Sequence, residues 1–183
     1  MPGLTEEAAF AADSVTETYA ALTVSVDTPR WAGVPFYLRT GKRLSAQTVE
    51  IAVTFRSSEL GSDEAVANVL VLRLQPQNLI ELQIGTKAQG RGLRVRPVNM
   101  EFDLRTPSDP APDAYERLIR DAIRGDAALF PTRAEVERSW EIVDPVIEYW
   151  ARDGFPEVYP AGSDGPVAAR VMLARDGRQW RPL

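Results

Sequence analysis

Apolar and polar residues alternate with a period of two through the first half of the chain, which is typical of β-strands that bury one face. The clearest example is the run TVEIAVTF at residues 48–55, in which every second residue is a large apolar one. Further strands are predicted over residues 16–26, 34–38, 69–74, 79–84 and 93–104. In the last of these the alternation changes phase at Arg96 and Pro97, which predicts a bulge or a break in that strand.

The C-terminal part of the chain instead repeats apolar residues at the spacing of amphipathic helices. The first predicted helix lies between Pro112 and Gly125, and its apolar stripe consists of Tyr115, Leu118, Ile119, Ala122 and Ile123. A second helix opens with Thr132 and Glu135 at capping-box spacing, and a third is predicted over residues 166–173. The second helix is expected to bury Val136, Trp140, Val143, Ile147 and Trp150. Strands followed by helices indicate the α+β fold class.

The charge of the chain, and the residue types it lacks, restrict its chemistry. A formal net charge of −5 argues against nucleic acid or an anionic membrane as a partner, because either would select a basic surface. The absence of cysteine and histidine excludes disulfides, thiolate catalysis and an imidazole base, and argues against a zinc site. No apolar run approaches the roughly 20 residues that span a bilayer, and residues 1–10 are acidic, unlike the start of a signal peptide. A cytoplasmic location is expected.

The candidate site is the run RWAGVPFYLRTGKRL at residues 30–44, in which an apolar strand leads into a basic turn. Arg39, Lys42 and Arg43 flank Gly41, and a glycine lets the backbone bend toward a ligand. Arginine offers a planar fork and lysine a point charge, both suited to phosphate or carboxylate. The pattern therefore predicts an anion pocket at a strand end, with a solvated basic turn as the alternative.

Six segments of the chain, in this order and spacing, resemble the glucose-6-phosphate dehydrogenases. They are residues 16–22 (TETYAAL), 30–44, 96–104 (RPVNMEFDL), 112–130, 140–150 (WEIVDPVIEYW) and 159–166 (YPAGSDGP). The resemblance covers residues 14–183 and only the C-terminal domain of the family, so residues 1–13 are expected to be a tail or a truncated upstream segment. It implies a largely antiparallel mixed β-sheet followed by C-terminal helices packed on it.

The resemblance also assigns substrate-binding residues. Arg39 and Lys42 match the family pattern R-x-G-K, whose two cations lie at the phosphate of glucose 6-phosphate. Gln47 stands where the family usually carries another cation that reaches the substrate, so weaker or altered phosphate binding is expected. Arg43 is a candidate substitute for that missing charge. No catalytic residue is assigned, because the family's catalytic histidine segment has no counterpart here.

The whole enzyme of this family oxidises glucose 6-phosphate to the lactone and passes hydride to NADP, in the pentose phosphate pathway. NADP would bind through the N-terminal dinucleotide-binding domain, which this chain lacks, so we expect no cofactor on this chain alone and no activity from it. A preference for NADP over NAD is not readable from this part. Some eukaryotic members hold a second, structural NADP at positions matched by Arg73, Gln75 and Trp180. Thr48 and Ala52 replace two of its cations, so that site is not expected here.

The resemblance implies a homo-oligomer formed through the β-sheet, as in the family's dimers. Two alternatives remain open at this point. The chain could be a stand-alone, non-catalytic module that binds sugar phosphates or dimerises, or a structural partner domain that binds no ligand. Nothing in composition or spacing decides among these, because all three use the same fold.

Overall fold

The computed structural model describes residues 11, 14–56, 66–90, 94–104, 114–153 and 156–183. Over these residues the chain forms six strands followed by three helices, which confirms the α+β class. The strands are β1 (Tyr19–Val24), β2 (Phe36–Gly41), β3 (Val49–Thr54), β4 (Val69–Gln75), β5 (Leu79–Lys87) and β6 (Val95–Asp103). The helices are α1 (Ala114–Arg124), α2 (Arg133–Asp153) and α3 (Val167–Ala174).

The chain divides into two compact units. The first comprises Met1–Ser45 and Ala111–Pro182, and the second comprises Ala46–Pro110 with Leu183. The first contains a two-stranded sheet of β1 and β2 with all three helices, and the second contains a four-stranded sheet in the order β3-β4-β5-β6. Every described strand pair is antiparallel, as expected, but the strands form two sheets instead of one.

In the first unit, the pairing of β1 with β2 determines what surrounds the predicted site. Tyr19 lies opposite Gly41 and Val24 lies opposite Phe36. The basic turn therefore begins where β2 passes the first residue of β1. This pairing places an aromatic ring against the glycine of the predicted turn.

The four-stranded sheet of the second unit has one largely apolar face and an opposite, more polar face, which also carries the buried Val69 and Val71. Paired residues share a face, and neighbours along a strand alternate between the two faces. Ile51, Leu72, Ile80 and Phe102 form one cross-strand row of the apolar face, and Val53, Leu70, Leu82 and Met100 form the next. We call this the Phe102 face. Several of its side chains are strongly exposed, with Phe102 at 66% and Ile51 and Met100 at 50% each.

The opposite face of this sheet holds a partly buried ion-pair cluster. The Arg73 guanidinium contacts Glu50 on β3 through Nε at 3.2 Å and Glu81 on β5 through one terminal nitrogen at 3.1 Å. Glu81 is buried, and Val71 beside it is fully buried. Two carboxylates thus surround the cation that matches the structural-NADP position.

The bulge predicted at Arg96 and Pro97 was wrong. Arg96 pairs with Thr86 and Pro97 with Gly85 in an unbroken register, and the shift in this sheet lies instead between Val49 and Glu50. The phase change in the sequence has another cause: Val95 lies on the polar face, where its side chain packs over Gly85, which has no Cβ. Leu93, the other residue of that predicted pattern, lies outside the described residues.

The predicted ends of the helices are largely confirmed. α1 ends at Gly125, which has a φ of 71°, a value that favours glycine. Before α2, the backbone N–H and the hydroxyl of Thr132 donate to the Glu135 carboxylate at 2.7 and 2.9 Å, which lowers the pKa of Glu135. The Glu135 N–H donates back to the Thr132 hydroxyl at 3.3 Å, which completes the capping box. α3 buries Ala169 and Leu173. Pro112 lies outside the described residues.

The predicted burial of α2 was wrong for most of its stripe. Trp140 is 57% exposed, Val136 42%, and Val143 and Ile147 are also exposed, whereas Trp150 is partly buried. Amphipathic spacing identifies which residues share a face of a helix, but it does not ensure that the described part of the unit covers that face. In the described part of the chain, no helix is long and apolar enough to cross a membrane.

Candidate functional site

The basic turn follows β2 and presents Lys42 to solvent. The backbone N–H of Lys42 donates to the carbonyl of Thr18, just before β1, at 2.8 Å. The side chain is exposed, and no carboxylate among the described residues pairs with its ammonium group. An exposed lysine without an acidic partner can bind a phosphate or carboxylate from solution.

Gly41 was expected to let the backbone of the turn bend, but the structure gives it a different role. Gly41 does not adopt a positive φ; the bend falls at Arg43, which has a φ of 50°. A Cβ atom at Gly41 would lie 2.7 Å from Tyr19 Cδ2 and 3.0 Å from Leu44 Cδ1, closer than atoms can pack. Glycine is therefore required at position 41 for the close approach of Tyr19, not for backbone freedom.

Residues 159–166 form a loop, which we call the 159–166 loop, and this loop hydrogen-bonds to the basic turn. The Ser45 hydroxyl donates to Asp164 Oδ1 at 2.6 Å, and the Ser45 N–H donates to the Ser163 carbonyl at 2.9 Å. The Gly162 N–H donates to the Arg43 carbonyl at 2.8 Å. The shape of the turn thus depends on a segment more than a hundred residues away in sequence.

Tyr19 lies between the turn and this loop. Its ring packs edge-on against Tyr159 with centroids 5.6 Å apart, and a Cβ atom at Gly165 would overlap the same ring. The Tyr19 hydroxyl is buried without a hydrogen-bond partner among the described residues. Burial raises the pKa of Tyr19, and the positive charge of Arg39 offsets part of that rise.

Arg39, the other predicted phosphate ligand, contacts the C-terminal tail. One of its terminal nitrogens donates to the Arg181 carbonyl, and the guanidinium lies over the Trp180 ring at 5.0 Å from its centroid. The Trp180 indole in turn donates to the Ala169 carbonyl on α3 at 2.9 Å. Arg39 therefore connects β2 to the tail, and Lys42 is the more accessible cation.

The third predicted ligand, Gln47, belongs to the second unit, where its side chain is exposed just before β3. Of the three residues matched to the structural-NADP positions, Arg73 and Gln75 also lie in the second unit and Trp180 in the first. Among the described residues, no group of three or more carboxylates could hold a metal ion.

The first unit has a large cavity, whose lining includes Thr18 and Tyr19 beside the basic turn. It has a volume of about 1260 Å³ and is bounded by the start of β1, the C-terminal half of α2, and α3. Neither Arg39 nor Lys42 lines it. The Lys42 side chain is exposed outside this cavity.

Three comparisons with known proteins identify the family. The C-terminal domain model of glucose-6-phosphate dehydrogenase matches residues 1–181. Glucose-6-phosphate 1-dehydrogenase 2 of Mycobacterium bovis is 49% identical over 98% of this chain, which spans 36% of that relative. The relative from Chlamydia pneumoniae is 41% identical over 99% of the chain, which spans 38% of it.

Solved structures agree with the sequence comparisons. A glucose-6-phosphate dehydrogenase in complex with its substrate glucose 6-phosphate is 31% identical and superposes with a TM-score of 0.82 over 96% of this chain and 37% of that one. The enzyme from Mycobacterium avium gives a TM-score of 0.79 at 32% identity, over 97% of this chain and 38% of that one. The chain spans little more than a third of these relatives and belongs to the glucose-6-phosphate dehydrogenase family, of which it represents the C-terminal domain.

Proposed function

We propose that this chain provides phosphate-binding residues of an NADP-dependent glucose-6-phosphate dehydrogenase, and that Lys42 is the principal one. The observation that carries the proposal is the exposed Lys42 ammonium, which has no acidic partner among the described residues and extends from a turn held on both sides. A structural relative is a complex with glucose 6-phosphate, which supports this choice of ligand. Lys42 would neutralise and orient the phosphate ester.

Arg39 has a secondary role in this proposal. Arg39 has further N–H donors besides the one that binds the Arg181 carbonyl, and its charge adds to the positive potential beside the turn. Gln47, in the second unit, stays a prediction from the family resemblance: its amide can hydrogen-bond a phosphate but carries no charge.

The oxidation itself requires groups outside this chain. Removal of the sugar hydroxyl proton needs a base, and transfer of hydride from C1 needs a bound nicotinamide. The sequence has no histidine and no strand-linked GxGxxG motif. We therefore expect the chain alone to bind substrate without turnover, and NADP to bind the rest of the enzyme. We assign the enzyme to the cytoplasm, because phosphorylated sugars do not cross membranes unaided.

Replacing Lys42 by Ala should weaken binding of glucose 6-phosphate to the chain by roughly 10- to 100-fold, because one charge-assisted contact contributes about 1.5–3 kcal/mol. Isothermal calorimetry at low ionic strength measures this directly. Lys87→Ala is the matched control, since the sequence has no other lysine and Lys87 is exposed on β5 in the second unit. Equal affinity for the wild type and Lys42→Ala, or no binding by the wild type, would contradict the proposal.

We also propose that the chain self-associates through the four-stranded sheet. The Phe102 face supports this, because a sheet with a large exposed apolar face gains free energy when a second surface covers it. Phe102 and Met100 are at least half exposed on that face. A second copy of the chain presents an identical apolar surface, as an isologous dimer requires.

Phe102→Asp should shift the chain from dimers or larger species to monomers at tens of micromolar, roughly the range of transient affinities. A charge in the centre of an apolar interface must be desolvated without a partner. Asn99→Asp adds the same charge to an exposed position on the opposite face of β6 and should leave the association unchanged. Sedimentation velocity distinguishes the species, and a wild-type monomer at these concentrations would refute the proposal.

A further inference from the structure

The hydroxyl group of Tyr159 lies at the point where β1 begins and the basic turn leaves β2. It donates to the Lys42 carbonyl at 2.7 Å, and the Thr18 carbonyl lies 2.9 Å away as an alternative acceptor. The Thr18 carbonyl also accepts the Lys42 N–H. A single hydroxyl therefore contacts both the Lys42 carbonyl and the Thr18 carbonyl, which lies just before β1 and accepts the Lys42 N–H.

The turn needs such support because its own backbone is strained. Arg43 adopts a φ of 50°, which costs free energy for a residue with a Cβ and persists only where surrounding contacts enforce it. Ser45 and the Arg43 carbonyl bond to the 159–166 loop on the far side of the turn. The Tyr159 hydroxyl, from the same loop, makes a side-chain hydrogen bond to Lys42 itself.

The position of the Tyr159 ring is also fixed. It packs edge-on against Tyr19, with ring planes at 65°, and Tyr19 pairs with Gly41 across the sheet. Residue 159 is partly buried, and its contact with the Thr18 carbonyl is partly buried too, whereas its bond to the Lys42 carbonyl lies on the exposed side. Because the ring is fixed, the hydroxyl is held between the Lys42 and Thr18 carbonyl oxygens, and it restricts the Lys42 carbonyl that it contacts.

We propose that Tyr159 is a positioning residue of the phosphate site, which fixes the Lys42 peptide and so directs the Lys42 ammonium to the phosphate. The inference rests on the proposed role of Lys42 in binding glucose 6-phosphate. Tyr159 does not touch the ligand in this proposal. It acts only through Lys42.

The variant Tyr159→Phe keeps the ring and its packing on Tyr19 and removes only the hydroxyl. We expect faster amide hydrogen exchange at Lys42 and Ser45 by about tenfold, the effect of losing one hydrogen bond, and three- to tenfold weaker binding of glucose 6-phosphate by calorimetry. Tyr149→Phe is the control, because Tyr149 is 60% exposed on α2, and it should change neither quantity.

The dependence of affinity on salt separates positioning from general loss of stability. Binding through the Lys42 charge weakens as KCl is raised, since ions screen an exposed contact. If Tyr159 acts through Lys42, Tyr159→Phe should reduce that slope toward the slope of Lys42→Ala. A variant that merely lowers the fraction of folded protein would keep the wild-type slope.

Each combination of exchange rate, affinity and salt slope either supports or overturns the inference. Unchanged exchange at Lys42 and Ser45 overturns the inference whatever the affinity. Faster exchange with wild-type affinity or a wild-type salt slope also overturns it while the proposed role of Lys42 stands. If the wild type does not bind glucose 6-phosphate, the proposed function fails, and the inference about positioning fails with it. Faster exchange, weaker binding and a reduced slope together support it.

Discussion

Replacing Gly165 by Ala is expected to lower the free energy of unfolding of the first unit by about 3–5 kcal/mol. Gly165 has a φ of 100°, which residues with a Cβ rarely adopt, and a Cβ there would overlap Tyr19 Cε2 and lie 2.8 Å from Cζ. Tyr19 cannot move aside easily, because Gly41 packs against the same ring. Backbone strain and overpacking therefore add at a single position.

Gly162→Ala is the matched control for this prediction. Gly162 has a φ of 81° in the same loop, but nothing lies within 4 Å of a Cβ built there, so the substitution introduces strain without overlap. We expect it to cost about 1–2 kcal/mol. All four tryptophans lie in the first unit, so indole fluorescence in a urea titration reports on that unit alone. Equal midpoints for the two variants would show that the contact with Tyr19 is not tight.

Replacing Arg73 by Ala is expected to destabilise the four-stranded sheet by about 3 kcal/mol, at the lower end of the range for broken buried ion pairs. The Arg73 side chain is 31% exposed, but Glu81 beside it is only 8% exposed and would be left charged without its cation. The Glu50 carboxylate, 18% exposed, loses the same partner. Repulsion between the two carboxylates adds to the desolvation penalty.

The second unit contains neither tryptophan nor tyrosine, so its stability is best followed by amide hydrogen exchange in β4 and β5. Arg96→Ala removes an exposed arginine from the same sheet and should change stability by less than about 0.5 kcal/mol. Adding Glu81→Gln to Arg73→Ala should recover part of the loss, because it removes the buried charge. If Arg73→Ala and Arg96→Ala behave alike, the cluster does not stabilise the sheet.

Periodicity predicted most of the local structure because it reflects burial of one face of each element. The alternation over residues 48–55 corresponds to β3, and the spacing of Thr132 and Glu135 corresponds to the observed capping box. Both patterns lie within a few consecutive residues, so they can be read without knowing what packs against the strand or helix. The exposed stripe of α2 marks their limit, because burial of a face depends on what lies opposite it.

The predicted basic turn is present, but what shapes it was not readable from the sequence. Gly41 suggested a flexible bend, whereas its role depends on Tyr19 across the sheet and the positive φ falls at Arg43. Tyr159 and Gly165 belong to the motif YPAGSDGP that carried the family resemblance, yet nothing local connects them to Lys42. The sequence does show aromatic residues and glycines in residues 16–22, 30–44 and 159–166. Only the fold shows that Gly41 and Gly165 both pack against the Tyr19 ring.

The order of the strands bears on how this protein forms during synthesis. The four strands of the second unit lie within the continuous segment Ala46–Pro110, and each pairs with the next along the chain, so their contacts can form as soon as β6 leaves the ribosome. The first unit is interrupted by that insertion, and Tyr159 follows its partner Lys42 by 117 residues. In the nascent chain, the strained turn therefore has no support from the 159–166 loop until that loop has been synthesised, well after β1 and β2.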